Sequence, residues 1–251
     1  MITVAPGVSV YAIIRAGAVP PGRLTGVGGP AVAVRAVSVG KVAAVVSDAP
    51  AQLRARRRDL LAHQELLMAL AEVGPVLPMR FGVVAPDEEV LREQLAAEEM
   101  NHLATLDRLV GHLEMNVKVL PAQDALGALV AADTKVRRLR EEARRRPGYD
   151  ASVRLGEAVV AALSRRAIEA GRRMMRDLAP MARATVQGPE VSGCALNVSF
   201  LVERVASERF GSTVEHFAKN HREHLEVRLA GPLPCYSFVG AHTPAPLIGK
   251  G

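Results

Sequence analysis

The stretch PVLPMRFG, residues 75–82, decides how the first half of the chain folds. It lies between two helix-like segments and combines an apolar run with two prolines, an arginine and a glycine. Extended as PVLPMRFGVV, it reads as a strand. Alternation then sends Leu77, Met79, Phe81 and Val83 to one face and Val76, Pro78 and Arg80 to the other. The first set has core character. Val76, Pro78 and Arg80 are therefore expected on the opposite sheet face, where a guanidinium among apolar neighbours is a candidate partner site. The competing expectation is that Arg80 pairs within the protein.

Upstream, VSVYAII (8–14), AVAVRAV (31–37) and VAAVVS (42–47) are short, β-branched runs separated by Gly and Pro clusters, which predicts three strands. A loop over 17–30 and a tight hairpin at Val39 and Gly40, or their neighbours, connect them. Between 51 and 73 the period becomes helical. Leu53, Leu60 and Leu67 recur every seven residues beside Leu61, Gln64 and Ala71, and Gly74 and Pro75 end the segment. After the opening stretch, residues 86–111 predict one long helix, started by Pro86 and Asp87 with acids in its first turn. This order predicts an α+β domain over 1–111, ferredoxin-like, with its helices on one sheet face.

A second α+β domain is expected over 112–251. HLEMNVKVLP (112–121) alternates, with Leu113, Met115, Val117 and Val119 on one face and Glu114, Asn116 and Lys118 on the other. A long antiparallel helical hairpin follows, from about 124 to 178. One helix carries Leu129, Ala132, Val136, Leu139 and Ala143, the other Val153, Gly156, Val160, Leu163, Ala167, Ala170 and Met174, with RPGYD (146–150) between them. Two strands, a helix and a closing strand interrupted by Gly231, Pro232 and Pro234 complete the domain, and the C-terminal tail is expected to fray.

Apolar residues make up 49% of the 251-residue chain but aromatics only 3%, so Ala, Val and Leu must build the cores and base stacking is poorly provided for. Cys194 and Cys235 form no CxxC, which fits a reducing cytosol. No apolar run approaches the roughly 18 residues of a membrane span, and no signal-type segment opens the chain. The net charge of +6 is uneven: residues 121–180 carry 13 basic and 8 acidic side chains, residues 76–120 carry 4 and 8. That split predicts two differently charged units.

No constellation of catalytic groups emerges. GVGGP (26–30) lacks the helix start and the Lys-Ser/Thr pair of a phosphate loop and reads as an inter-strand loop. His216, His221 and His224 cluster near a helix end without a further ligand at fixed spacing, so surface histidines are a better reading than a metal site. LRARRR (53–58) and VRRLREEARRR (136–146) keep a nucleic-acid-binding or regulatory module in play as the alternative. Glu141 and Glu142 interrupt the second run, no aromatics accompany either, and solvated helix faces explain both, so nucleic acid is not the expected partner.

Several landmarks then coincide. VSVYAII, AHQELLMAL with His63, GPVLPMRFGVV with Phe81 and Gly82, LVGHLEMNVKV (109–119) with Glu114 and Lys118, GYDASVRLGEAVVAAL, and LAGPLPCYSFV with Gly231, Pro232, Tyr236 and Phe238 occur in this order. Over about 8–239 the sequence resembles the GvpL/GvpF family of gas vesicle proteins. It departs from the family pattern at Leu233 and Met115, where aromatics are common, and at Cys235, where proline is frequent. The resemblance implies two α+β domains and a non-enzymatic cytoplasmic protein without cofactor or metal. It further implies association with the small hydrophobic gas vesicle shell protein, and with other gas vesicle accessory proteins, as an assembly factor or minor component. It assigns no role to the motif positions.

Overall fold

The computed structural model describes residues 7–18, 24–28, 32–50, 54–122 and 132–239. The expected start of the helical hairpin near 124, Leu129 and the tail beyond 239 lie outside these residues. The chain divides into two compact units: residues up to Glu114 together with the described residues from Leu233 onward, and Met115–Pro232.

In the first unit β1 (Val8–Arg15), β2 (Arg35–Val39) and β3 (Val42–Asp48) precede α1 (Arg57–Val73). Two short strands, β4 (Leu77–Pro78) and β5 (Val84–Ala85), lead to α2 (Glu88–Ala97) and α3 (Glu99–Leu109). The antiparallel sheet has the order β2-β3-β1-β4, and β5 also pairs with β1. Gly40, at φ +52°, makes the tight turn between β2 and β3. The Glu99 carboxylate accepts from Lys41 N there at 2.7 Å.

Helices cover both faces of this sheet, not one. On one face Ala12, Ile14, Ala43, Val45 and Val76 pack with Leu66, Leu67 and Leu70 of α1. The alternate residues Ile13, Val42, Ala44, Val46 and Leu77 are equally buried. They lie on the face of Arg35 and Arg15, which pair with Glu88 of α2 and Asp107 of α3. Both helices pack against these strands. A sheet covered on both sides needs strands that are apolar throughout, as β1 and β3 are.

Two helical expectations change in detail in this unit. The buried side of α1 is Asp59, His63, Leu66, Leu67 and Leu70, while Leu60 and Leu61 are exposed. With apolar residues on several sides of the helix, the sheet rather than the period selects the stripe. The single helix expected over 86–111 breaks at Glu98, which joins α2 to α3 with non-helical φ −109°, ψ 9°. Its start is as expected, the Asp87 carboxylate accepting from Val90 N at 2.8 Å.

The opening stretch is not one strand. β4 ends at Pro78, a turn spans 79–83, and pairing resumes in β5. Opposition of Ala12 with Pro78 and Ile13 with Leu77 places Val76 and Pro78 on the α1 face. Both are buried, contrary to the expected outward orientation.

The second sheet, most of whose residues belong to the second unit, runs β7 (Ala184–Gln187), β8 (Leu196–Glu203), β6 (His112–Pro121), β9 (Leu225–Leu233). Its alternation is as read: Leu113, Met115, Val117 and Val119 are buried. Val198, Phe200 and Val202 join this core, and α5 (Tyr149–Leu178) and α6 (Ser207–His221) pack against β8. Phe200 and Phe210 meet with ring centroids 5.1 Å apart.

α4 (Thr134–Arg145) and α5 form the helical hairpin. Asp133 caps α4 by accepting from Lys135 N and Val136 N at 3.0 and 3.1 Å. Val136, Ala158 and Ala162 fill the seam with Leu139, Leu155, Val159 and Leu163 around them. Leu139 and Leu163 are thus in the seam as expected. Val153 and Val160 are not: α4 packs on a neighbouring face of α5 and leaves them exposed.

Candidate partner-binding surface

The 79–83 turn is assembled by contacts from three directions. Met79 N donates to the Tyr11 carbonyl at 2.8 Å, continuing the strand pairing for one residue. Val83 N then closes a four-residue turn on the Arg80 carbonyl at 3.3 Å, with Gly82 at φ +89° in the position where such a turn requires glycine. From α1, His63 Nε2 donates to the Met79 carbonyl at 3.0 Å. A carbonyl only accepts, so this nitrogen carries the hydrogen.

The His63 ring lies between Tyr11, 5.7 Å away and tilted, and Phe81, 5.7 Å away and nearly perpendicular. Burial holds His63 below the usual histidine pKa, with the Met79 bond acting in the opposite direction. Tyr11 reaches this face through a β-bulge between Val10 and Ala12. Its hydroxyl shares a hydrogen bond with Ser47 Oγ at 2.7 Å and accepts from Val27 N at 2.8 Å. A Cβ at Gly26 would stand 2.7 Å from that hydroxyl, so the glycine-rich loop serves close packing.

Arg80 is the outward group of this assembly. It is exposed, and its side chain has no ion-pair partner among the described residues. Phe81 packs part-buried against the α1 core and Gly82 is exposed. Arg80 therefore stands apart from Val76 and Pro78, which the fold uses internally.

A second constellation joins motif positions far apart in sequence. Buried Glu114 accepts from Ser237 N at 2.9 Å and from Ser237 Oγ at 2.7 Å. It thereby holds the short 3-10 turn Tyr236–Phe238 against the start of β6. Burial, assisted by the Glu114 charge, pushes the Tyr236 phenol up to about 12. Phe238 N donates to the Cys235 carbonyl at 3.1 Å, and Cys235 is buried. Gly231 and Pro232 lie exposed toward the end of β9, and Lys118 is half-buried on the polar side of β6.

The remaining chemistry-bearing residues do not converge. Among the described residues no three His, Cys, Asp or Glu side chains are placed to hold a metal. His216 and His221 line an open cavity of about 380 Å³ between α5 and α6, whose floor includes Met174, Leu178 and Val214. His221 stacks on Phe217 at 4.1 Å and bonds its carbonyl, while His216 pairs with Asn220. Cys194 and Cys235 are not joined in a disulfide. No helix among the described residues is long and apolar enough to cross a membrane.

Two antiparallel sheets with helices, in this arrangement, match solved gas vesicle proteins. GvpF from Anabaena sp. PCC7120 superposes with a TM-score of 0.78 at 20% identity, covering 95% of this chain and all of that one. GvpF from Microcystis aeruginosa superposes at 0.72 and 21% identity, covering 94% and 99%. The chain belongs to the gas vesicle synthesis protein GvpL/GvpF family, whose model matches residues 7–240. It is 40% identical to gas vesicle protein F of Streptomyces sp. (strain CB03234) over 225 residues, 87% of this chain and 93% of the relative. To gas vesicle protein L of the same strain it is 31% identical over 263 residues, 92% of each.

Proposed function

We propose that the protein acts in the cytoplasm as a non-enzymatic gas vesicle assembly factor that binds the small hydrophobic shell protein, with Arg80 as one of its contacts. Family membership supports the gas vesicle role. The observation that carries the site is the exposed Arg80, without an ion-pair partner among the described residues, on a turn held by His63, Tyr11 and Gly82. A cation presented on a hydrogen-bonded turn needs no backbone reordering on binding, which favours its use as a contact. Val76 and Pro78 support the turn from inside, and the two units work as separate domains.

Affinity capture of the co-expressed shell protein tests this reading. The wild-type chain retains the shell protein, and Arg80→Ala lowers capture about tenfold while stability stays within ~0.5 kcal/mol, as for an exposed side chain. Unchanged capture removes Arg80 from the contact. No capture by the wild type, combined with steeply salt-dependent binding to random DNA, replaces the reading with nucleic-acid binding. For the domains, calorimetry should resolve two unfolding transitions, and a single cooperative one refutes their independence.

A further inference from the structure

Helix α5 keeps one heptad stripe along its length: Tyr149, Val153, Gly156, Val160, Leu163, Ala167, Ala170 and Met174, spaced alternately by four and three. From Ala167 onward the stripe is core, with Ala167, Ala170 and Met174 buried. Its first part is bare. Tyr149 is 84% exposed, Val160 64% and Val153 39%, and a Cβ at Gly156 would meet nothing within 4 Å. Helix α4 does not cover it, because that helix packs on Leu155, Ala158, Val159, Ala162 and, of the stripe, only Leu163 beyond the bare part. At 100° per residue the centre of this contact lies roughly 120° around α5 from the bare stripe.

The charged edge of the stripe identifies what fits it. In the heptad, Asp150 and Glu157 both follow a stripe residue on the same edge, the positions that select coiled-coil partners. Both are exposed and have no ion-pair partner among the described residues, in a chain whose net charge is +6. Asp150 is also where a helix N-terminus favours an acid, but Glu157, two turns further, is not. A second copy of the chain fits poorly. Antiparallel pairing sets these carboxylates against each other, and parallel pairing sets Glu157 against Ser152 and gives Asp150 no partner on the helix.

We propose that the exposed stripe of α5, Tyr149–Val153–Gly156–Val160, docks an amphipathic helix of another protein whose flank carries Lys or Arg two turns apart, paired with Asp150 and Glu157. The contact runs about 17 Å along α5, and Gly156 lets the two backbones approach closely. This site is separate from Arg80 and stands or falls independently of it.

Two synthetic helical peptides test the proposal. They share Leu and Ala at the apolar heptad positions, one with Lys and the other with Glu on its flanks, and fluorescence anisotropy reads their binding to the full chain. The Lys peptide should bind at least about tenfold more tightly than the Glu peptide, with affinity falling as salt rises. Val160→Asp should abolish binding with circular dichroism and melting unchanged, and the double variant Asp150→Lys, Glu157→Lys should reverse the preference. No binding of either peptide, equal binding of both, or binding that survives Val160→Asp would overturn it. So would sedimentation showing a dimer of the chain that Val160→Asp disrupts, because the stripe would then serve self-association.

Discussion

The two sheets of this molecule handle burial differently. In the first, α1 covers one face and α2 and α3 the other, and every residue of β1 from Val8 to Ile14 is buried. In the second, the helices pack on the face of Met115, Val117, Val119, Val198, Phe200 and Val202, while the opposite face carries Glu114, Asn116, Lys118, Asn197 and Ser199. That polar face is hydrogen-bonded within the fold: Asn116 Nδ2 donates to Asn197 Oδ1 and Ser199 Oγ, each at 3.1 Å, and Asn197 Nδ2 to the Pro189 carbonyl at 2.9 Å. The first sheet therefore rests on apolar contact on both sides. The second rests on apolar contact on one side and satisfied polar groups on the other.

The strongest way to break this comparison is to place a charge on each face in turn. Val76→Asp and Leu77→Asp point to opposite sides of the first sheet, and each should cost ~4 kcal/mol or more in denaturant unfolding. On β6, Val117→Asp should be as damaging, but Lys118→Asp should cost under ~1 kcal/mol. A tolerated Leu77→Asp would show that α2 and α3 do not seal their face. Next in size is Phe200→Ala, which removes a fully buried ring from the second core and should cost ~3–5 kcal/mol. Smaller again is Asn116→Ala, expected near ~1–3 kcal/mol because it removes the donor to the side-chain oxygen of buried Asn197. A neutral result would mean that water replaces that donor.

The same contrast explains what could be read from the sequence. Alternation in 112–121 was legible because its two faces meet different chemistry. In 75–82 both faces meet apolar surroundings, so the pattern could not orient Val76, and Gly82 signalled a turn that a continuous strand overlooked. On α5, Val153, Leu155, Ala158, Val159, Val160 and Ala162 offer more than one apolar stripe, and only the position of α4 chooses between them. The break at Glu98 has no Pro or Gly to announce it. The Glu114–Ser237 clamp spans 123 residues of sequence, beyond the reach of any local pattern. The sequence marks Arg80 as a candidate contact, but its separation from Val76 and Pro78 follows only from the turn.

The smallest effect sharpens the comparison by titration, because it should act on the first unit. His63 is buried and donates to the Met79 carbonyl, and burial lowers its pKa below the ordinary 6.5. In the unfolded chain the ring takes up a proton more readily than in the fold. Between the folded and unfolded values the unfolded state thus binds more protons, and stability rises with pH across that interval. The contribution is complete above about 6.5 and is lost as pH falls from there through the lowered folded value. His102 on α3 is lowered by burial in the same direction, with Glu98 opposing it, so wild type should lose stability below that pH from two positions. His63→Gln retains a side-chain donor and removes one titration. Its melting temperature should fall less steeply than that of wild type between about pH 6.5 and 5, by a few °C at most. If the two profiles run parallel, His63 keeps an ordinary pKa in the fold and the ring is not sealed between Tyr11 and Phe81.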